Sequence, residues 1–200
     1  MNRALCDVEL SGKVLDIGGR KSSNYHQLIQ GNPKWTVANL DTDSECDITM
    51  DAEKHFPFDD ESFDHILCLN LLEHVYDVRN VLSDSYRCIH AGVKMIIVTP
   101  FLIPVHGCPH DFRRFTMDAL RKMLKETGFE ITHTKTLGCG ALVAGYQMTS
   151  WLIPISLLRT AFRLTCTTAE WCAKRLSKRY KCLSKNYALG FMLHVQKPTK

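Results

Sequence analysis

The sequence has little of what stabilises small secreted domains. Its nine cysteines include no C-x-x-C pair and no zinc-ribbon spacing. Their number is odd, so we expect reduced thiols in a reducing compartment. The 200 residues, 45% hydrophobic and 23% charged, are enough to form one globular domain with a core of its own. These figures exclude a disulfide scaffold, a collagen-like chain and low-complexity disorder.

A convincing membrane-targeting or membrane-spanning segment is also missing. Residues 1–12 contain Arg3, Asp7 and Glu9 and lack the apolar run of a secretory signal, so we expect a cytoplasmic protein. Residues 136–158 carry no charge, but glycines and Pro154 interrupt them. One crossing would also leave the last predicted strand on the wrong side of the bilayer. We therefore predict no transmembrane span.

Acidic residues are almost absent from the carboxyl-terminal quarter. Residues 151–200 contain ten lysines and arginines and a single acid, Glu170, whereas residues 1–150 contain 15 basic and 20 acidic residues. An asymmetry of this size indicates that the last quarter meets an anionic partner.

Short apolar runs alternate with helical patterns along most of the chain. This alternation predicts an α/β fold with a doubly wound, mostly parallel seven-stranded sheet of the Rossmann-like kind. The predicted strands cover residues 13–17, 34–40, 46–50, 63–69, 94–99, 131–137 and 188–196, and the predicted helices cover 25–29, 72–75, 78–89 and 117–127.

Residues 138–186 form a long excursion before the last strand, and we expect them to be a helical insert within a single domain of residues 1–200. Apolar residues from Trp151 to Tyr180 recur every three or four positions, which predicts one helical stripe with basic residues beside it. A basic amphipathic helix over 151–181 can lie on a membrane surface. A hairpin that covers the sheet or the active site, or that forms a dimer, is an equal alternative.

Two acids follow predicted neighbouring strands. Asp16 ends the first strand and precedes Gly18 and Gly19, and Asp41 ends the second strand. Glycine allows close approach of a ligand, and a carboxylate can accept the hydroxyls of a ribose. The third glycine of a dinucleotide motif is missing, because residues 20–22 are Arg-Lys-Ser. The pattern favours a nucleoside without a pyrophosphate, although an ordinary turn would use the same residues.

Seven motifs occur in order between residues 13 and 135. They are V-L-D-I-G-G at 14–19, N-L-D at 39–41, D-I-T-M-D-A-E at 47–53, F-P-F-D-D-E-S-F-D at 56–64, L-N-L-L-E-H-V at 69–75, R-C-I-H-A-G at 87–92 and G-F-E at 128–130. With these motifs the chain resembles the class I S-adenosylmethionine-dependent methyltransferases, and especially their type 11 branch.

The resemblance implies a methyltransferase fold, S-adenosylmethionine as cofactor and a set of cofactor-binding residues. By position, Asp16, Gly18 and Gly19 match the loop at the methionine part, Asp41 matches the ribose acid, Asp51 with the backbone of Ala52 matches the adenine contact, and Asn70 lies near the sulfonium. Arg20 departs from the family, which usually has a second glycine of a G-x-G there.

Residues 104–116, P-V-H-G-C-P-H-D-F-R-R-F-T, carry the candidate acceptor groups. They resemble a pattern in a type 11 subgroup associated with bacterial surface-polysaccharide genes. A hydroxyl acceptor needs a base that titrates near neutral pH, and His106 is the candidate. The candidate acceptor-binding residues are His110, Asp111, Arg113 and Arg114.

The same segment also allows roles that involve no acceptor. Asp111 can instead form an ion pair with Arg113 or Arg114 that only holds the loop together. His106, Cys108, His110 and Asp111 are metal-ligand types, but Pro109 and the absence of a helix disfavour a preformed site, so we predict no metal. The fourth strand ends in L-N-L-L-E-H and lacks the Asn/Asp-Pro-Pro-aromatic loop that holds a flipped base, so we expect no nucleic-acid acceptor.

These observations favour an enzyme that methylates an oxygen of a small, glycan-like or lipid-linked acceptor. The alternative is a catalytically silent, cofactor-binding scaffold or regulatory subunit that docks to a membrane or a protein partner. Arg20 and the short segment before the first strand motivate this alternative.

Overall fold

In the computed structural model, which describes residues 1–40, 45–107 and 110–199, seven strands form one sheet in the order β3-β2-β1-β4-β5-β7-β6. The strands are β1 (Glu9–Ile17), β2 (Gln30–Asn39), β3 (Ile48–Thr49), β4 (His65–Leu69), β5 (Lys94–Pro100), β6 (Glu130–Cys139) and β7 (Ala188–Gln196). The α-helices are α1 (Asn2–Leu5), α2 (Val78–Cys88), α3 (Met117–Thr127), α4 (Ala141–Thr149), α5 (Ser156–Leu176) and α6 (Lys178–Leu183).

The central strands are parallel and buried. β1 pairs in parallel with β2 on one side and with β4 on the other, and β4 pairs in parallel with β5. Met95 to Val98 of β5 are buried, as are Ile66 to Cys68 of β4. An uninterrupted apolar strand is expected where both faces of a sheet are covered. The predicted α/β fold, with its mostly parallel seven-stranded sheet, is therefore confirmed.

β7 runs against its neighbour β5. The Gly92 N–H, just before β5, donates to the Lys197 carbonyl just after β7 at 2.8 Å, and the Phe101 N–H after β5 donates to Leu189 near the start of β7 at 2.7 Å. The beginning of each strand thus meets the end of the other, which is the antiparallel arrangement.

Helix α3 shows how local sequence sets the ends of an element. Thr116 begins it, because the threonine hydroxyl accepts the Ala119 N–H at 3.2 Å. Gly128 ends it in the left-handed conformation, with φ at +98°, and its N–H bonds back to the last turn. The predicted helix over 117–127 has these same bounds.

The helix predicted over residues 72–75 is wrong. The chain there forms a turn, in which the His74 N–H donates to the Leu71 carbonyl at 2.8 Å. The Glu53 carboxylate accepts the next N–H groups, those of Tyr76 at 2.7 Å and Asp77 at 3.4 Å. Four residues are too few to nucleate a helix by themselves, so these side-chain bonds determine the backbone.

The first three strands differ in length from the predicted ones. β1 and β2 begin four residues earlier than predicted, because the ladder between them starts at Glu9 and Gln30. Their first residues are largely exposed, so no apolar pattern marks them. β3 is only two residues long and pairs with the end of β2.

Three helices, α4 to α6, lie between β6 and β7, as the predicted helical insert requires. The prediction of one stripe from Trp151 to Tyr180 is wrong, because Trp151 lies in a 3₁₀ turn and Tyr180 lies in α6. Pro154 precedes α5 and cannot continue a helix from α4. Ser177 interrupts the helix at the other end, where its hydroxyl accepts the Tyr180 N–H at 3.1 Å.

Contacts group the described chain into two compact units. The first unit comprises residues 1–99, 107–135 and 192–200, and the second comprises residues 100–106 and 136–191. The single-domain boundary stays a prediction. Within the described ranges, no helix has both the length and the apolarity that crossing a membrane requires.

Candidate functional site

The first unit contains a cavity of about 600 Å³ where β1, β2 and β4 end. Its position is the one expected for a ligand in a parallel sheet, outside the carboxyl ends of the strands. The residues that line it are Ile17, Gly18, Arg20, Ala38, Asn39, Leu40, Met50, Asp51, Ala52, Glu53, Asn70, Leu71, His74, Val75, His110 and Phe112.

The turn after β1 forms one wall of this cavity. Gly18 lines it with φ at +80°, a conformation that favours glycine. Its N–H donates to the Ala38 carbonyl at 2.7 Å, and a Cβ atom at this position would press on the Leu71 side chain. The turn is thereby fixed between β2 and the loop after β4.

Asp16 is a fully buried acid beneath the turn. Its Oδ2 atom accepts a hydrogen bond from the Tyr25 hydroxyl at 2.7 Å and lies 2.7 Å from His26 Nε2. Its Oδ1 atom is buried and has no hydrogen-bond partner among the described residues. Burial, together with the charge of Asp16, raises the pKa of Tyr25, so this hydroxyl stays a donor.

Gly19 packs directly on this acid. A Cβ atom on Gly19 would overlap the Asp16 carboxylate and the Tyr25 hydroxyl. Neither Asp16 nor Gly19 is among the described residues that line the cavity. The predicted loop residues thus divide into Gly18, which faces the cavity, and Asp16 with Gly19, which support the turn from below.

Asp51 and Ala52, the predicted adenine contacts, both line the cavity. Asp51 is about one third exposed, and its carboxylate lies 3.5 Å from Lys54 Nζ and accepts the Glu53 N–H at 3.0 Å. The Ala52 carbonyl accepts a hydrogen bond from the Asn80 amide at 3.1 Å, so helix α2 holds this backbone in place.

Asp41, the predicted ribose acid, lies outside the described residues. The two residues before it, Asn39 and Leu40, line the cavity. The Asn39 amide donates to the Gly19 carbonyl at 2.8 Å, which ties the end of β2 to the glycine turn. The role of Asp41 stays a prediction.

Asn70, predicted near the sulfonium, also lines the cavity. Its φ is +51°, a left-handed conformation that asparagine adopts more readily than most residues. The backbone there is fixed by a bond from its N–H to the Val98 carbonyl at 2.8 Å. The side-chain amide lies 3.5 Å from the sulfur of Met1.

Of the four predicted acceptor-binding residues, His110 lines the cavity. Asp111 and Arg114 form a two-pronged ion pair, with Arg114 Nη2 2.7 Å from Asp111 Oδ2. This pair raises the pKa of Arg114 and buries the Asp111 carboxylate. It corresponds to the loop-holding alternative. Arg113 donates to the Tyr76 carbonyl at 2.8 Å, and its guanidinium lies 5.4 Å from the centre of the Tyr76 ring.

The same segment is bonded to the turn after β4. The Phe112 N–H donates to the Glu73 carbonyl at 2.8 Å, and the ring of Phe112 lines the cavity. His74 Nδ1 lies 2.5 Å from the His110 carbonyl, so this nitrogen carries the proton. One wall of the cavity is therefore built from two chain segments held together by one backbone bond and one side-chain bond.

Sequence reasoning missed several of these residues. Tyr25 and His26, which hold Asp16, come from a 3₁₀ helix at Asn24–Leu28, and Glu53 lines the cavity while fixing the turn before α2. The polar Tyr-His pair beside an otherwise apolar strand was a usable signal. Nothing in the local pattern identifies Glu53, since its partners are backbone groups 23 and 24 residues away.

His106, the candidate base, belongs to the second unit. It is exposed, and its Nδ1 lies 3.1 Å from the Pro104 carbonyl. Cys108 and Pro109, which bear on the metal alternative, lie outside the described residues. The catalytic role of His106 stays a prediction.

The residues present suit a nucleoside that carries a polar tail. The cavity has apolar walls for a base, a glycine turn that permits close approach, and a partly exposed carboxylate at Asp51. The buried Oδ1 of Asp16 can accept a further hydrogen bond.

Comparisons with known proteins agree with this arrangement. Residues 6–97 match the family described as "Methyltransferase domain". No curated protein matches the chain in sequence.

Solved structures show a similar fold at low identity. A candidate methyltransferase of Bacillus halodurans C-125 is 16% identical, with a TM-score of 0.61 over 99% of this chain and 97% of the other. Haemonchus contortus phosphoethanolamine N-methyltransferase 2, solved with S-adenosyl-L-methionine, is 14% identical with a TM-score of 0.61, and this chain spans 52% of it. The cyclase SpnF is 15% identical, with a TM-score of 0.64 over 100% of this chain and 81% of the other.

Proposed function

We propose that this protein is an S-adenosylmethionine-dependent methyltransferase that transfers the methyl group to an oxygen of a small, glycan-like or lipid-linked acceptor. The observation that carries the proposal is the cavity at the strand ends, which Gly18, Asp51 and Asn70 line together. These three residues match cofactor-binding positions of the family that the sequence resembles.

The reaction asks little chemistry of the protein. S-adenosylmethionine supplies a methyl group that is already electrophilic, so the chain must align the acceptor and exclude water. Phe112 and Leu71 give the cavity apolar walls, and His110 places an imidazole beside them. The SpnF structure shows that the same fold serves a cyclase, so the reaction has to be argued from the site.

Titration calorimetry with S-adenosylhomocysteine tests the cofactor site. We expect wild type to bind, and Asp41→Ala and Asp51→Ala each to weaken binding roughly tenfold, because each removes one hydrogen-bonded carboxylate. Asp59→Ala, an exposed acid outside the cavity, is the matched control. Absence of heat with wild type, or affinity unchanged in Asp41→Ala, would overturn the proposed site.

We also propose that His106 removes the proton from the acceptor hydroxyl. The proposal rests on its exposed imidazole and on its place four residues before His110. His106→Ala should lower kcat about a hundredfold or more, because the acceptor hydroxyl then has no base beside it. His90→Gln, on the surface of the first unit, is the control. Wild-type turnover in His106→Ala contradicts this role.

The acceptor class can be found by transferring a radiolabelled methyl group in a cell extract. Label in a lipid or glycan fraction supports the proposal, including a surface-polysaccharide acceptor. Label in protein or nucleic acid alone contradicts it. Cofactor binding without transfer to any fraction would favour the catalytically silent scaffold instead.

We further propose that the insert contacts the inner face of a membrane, with the enzyme itself cytoplasmic. Helix α5 buries only Glu170 among its residues, and large apolar side chains on it and next to it are exposed, including Trp151, Leu157 and Trp171. Ten basic residues accompany a single acid in residues 151–200. Exposed apolar and basic groups together fit an anionic lipid surface.

Vesicle flotation tests this contact. Binding to vesicles with anionic lipid, weakened by Arg159→Gln with Arg163→Gln and unaffected by Lys122→Gln with Lys125→Gln on α3, supports it. Equal binding to zwitterionic vesicles, no binding, or a stable dimer in solution that shields this face contradicts it.

A further inference from the structure

Arg20 departs from the glycine that the resembled family has at this position, and it lines the cavity. Its backbone is fixed on both sides by Ser23, whose hydroxyl accepts the Arg20 N–H at 3.2 Å and whose N–H donates to the Arg20 carbonyl at 2.9 Å. The side chain is exposed and follows directly after Gly18 and Gly19. The turn therefore holds a long cationic side chain at the cavity wall.

Arg20 differs from the other charged residues that line the cavity. Arg20 is the only lysine or arginine among the described lining residues. The two acids there have partners of their own, since Asp51 lies 3.5 Å from Lys54 and Glu53 accepts the N–H groups of Tyr76 and Asp77. Within the described ranges, the Arg20 guanidinium makes no hydrogen bond or ion pair. It is therefore available to a ligand that carries negative charge.

The cofactor brings one such group. S-adenosylmethionine has a single carboxylate, on its methionine part, and its other formal charges are positive. A guanidinium binds a carboxylate through two parallel hydrogen bonds, and such bonds are stronger than neutral ones. We infer that Arg20 binds the carboxylate of the cofactor, which makes it a specificity-determining residue. The inference rests on the proposed cofactor site and deepens it.

Arginine and glycine at residue 20 would bind the cofactor carboxylate in different ways. A glycine at this place would leave the carboxylate to backbone donors alone. An arginine adds a charged fork and also closes part of the cavity with its apolar stem. Arg20 therefore argues for cofactor binding rather than for a silent scaffold.

Two ligands that differ by one group provide the test. The affinities of S-adenosylmethionine and of decarboxylated S-adenosylmethionine are measured by calorimetry for wild type, Arg20→Gln and Arg20→Lys. Wild type should prefer the carboxylated ligand about 10- to 100-fold, as expected for a hydrogen-bonded ion pair. Arg20→Gln should lose this preference, because only its affinity for the carboxylated ligand should fall. Arg20→Lys should keep part of the preference.

Lys34→Gln is the control, because it removes the same charge from an exposed position in the middle of β2, outside the cavity lining. Melting temperatures of all variants show whether each is folded, and Arg20→Lys preserves the charge should Arg20→Gln be unstable. An equal loss for both ligands in Arg20→Gln would overturn the inference, since the residue would then act by shaping the turn.

The remaining outcomes separate the inference from the proposed function. Absence of binding of either ligand to wild type defeats both. Binding of S-adenosylmethionine that Arg20→Gln leaves unchanged defeats the inference alone, and a raised KM for the acceptor in that variant would move Arg20 to the acceptor. Preference for the carboxylated ligand that survives in Arg20→Gln also places the carboxylate elsewhere.

Discussion

Each of the two units contains a deeply buried carboxylate with a similar set of neighbours. Asp16 in the first unit is 0% exposed and Glu170 in the second is 3% exposed. Each accepts a tyrosine hydroxyl, Asp16 from Tyr25 at 2.7 Å and Glu170 from Tyr180 at 2.8 Å. Each also lies against a glycine, Gly19 or Gly140, whose Cβ atom would overlap the carboxylate.

The two acids differ in what satisfies them. Glu170 Oε2 also accepts the Leu142 N–H at 3.1 Å, and its Oε1 lies 3.3 Å from the ammonium of Lys174. Lys174 in turn donates to the Cys139 carbonyl at 2.6 Å. Both oxygens of Glu170 therefore face groups within the insert, and they connect α4, α5 and α6.

Oε1 of Glu170 makes no hydrogen bond among the described residues and is satisfied only by the Lys174 ammonium. Asp16, in contrast, has one oxygen, Oδ1, with neither a hydrogen bond nor an ion pair in the described part of the chain. It lies beneath the turn that forms the cavity wall, whereas Glu170 lies where helices meet. A buried acid costs free energy unless its oxygens are satisfied, so the two arrangements indicate different purposes. Glu170 is a structural centre of the insert, whereas Asp16 supports the glycine turn and keeps one oxygen unbonded among the described residues.

Gly140→Ala should give the largest effect. Gly140 has φ at +124°, and a Cβ atom there would displace the Glu170 carboxylate from its partners. Backbone strain and the disrupted ion pair together should lower the free energy of unfolding by about 4 kcal/mol. Denaturant unfolding followed by circular dichroism measures it.

Gly145→Ala is the matched control in the same insert. It lies within α4 and has open space where a Cβ would go, so it should stabilise the helix by about 0.5–1 kcal/mol. Equal effects of the two alanines would mean that the buried acid does not organise the insert.

Exchanging each acid for its amide tests the comparison directly. Glu170→Gln should lower the free energy of unfolding by about 3 kcal/mol, because it leaves Lys174 without its partner, and should leave affinity for S-adenosylhomocysteine within about twofold. Asp16→Asn should lower the affinity for S-adenosylhomocysteine about tenfold, because it changes both the support of the glycine turn and the buried Oδ1 atom. Calorimetry and denaturant titration of both variants give all four values. If Glu170→Gln instead lowered the ligand affinity and Asp16→Asn lowered only the stability, our conclusion about the two acids would be reversed.

The smallest effect concerns pH. Burial, with the nearby charges of His133, Lys94 and Lys135, lowers the pKa of His194 in β7, and burial also lowers the pKa of His65 in β4. Below about pH 6.5 the unfolded chain then binds more protons than the folded chain. The free energy of unfolding therefore decreases as the pH is lowered through that range, and it levels off below the pKa values of the folded state. All histidines except His106 lie in the first unit, so the insert should contribute little to this pH dependence of stability.

His194→Gln should make this loss of stability shallower, and His133→Gln should do so to a smaller extent because it removes a secondary cause. His65 should maintain the remaining slope. Melting temperatures between pH 5 and 8 provide the measurement, and an unchanged slope in His194→Gln would exclude this residue as a source of acid sensitivity.

The sequence predicted the elements whose patterns are strong. The apolar runs of β4 and β5 identified buried strands, and Gly128 identified the end of α3, since such a helix stop is a local signal. The turn at residues 72–75 was mispredicted because Glu53, twenty residues earlier, determines it. The break in the insert at Ser177 was not predicted because periodicity continues across a hydrogen-bonded cap.

For the candidate site, sequence reasoning found Gly18, Asp51, Ala52, Asn70 and His110 at the cavity. It could not tell that Asp111 and Arg114 bind each other, because an acid and a base three residues apart suit an acceptor equally well. It grouped Asp16 with the residues that face a ligand, although the side chain lies below the turn.

The sequence by itself determined the succession of the seven strands along the chain, the glycine turn and the charge asymmetry, because each depends on neighbouring residues or on composition. Only the tertiary structure decided which polar groups face the cavity and which satisfy one another. Some of those pairings join residues well separated in the chain, such as the Asn39 amide with the Gly19 carbonyl. Folding decides them, because it brings donors and acceptors within reach and makes an unpaired buried polar atom costly.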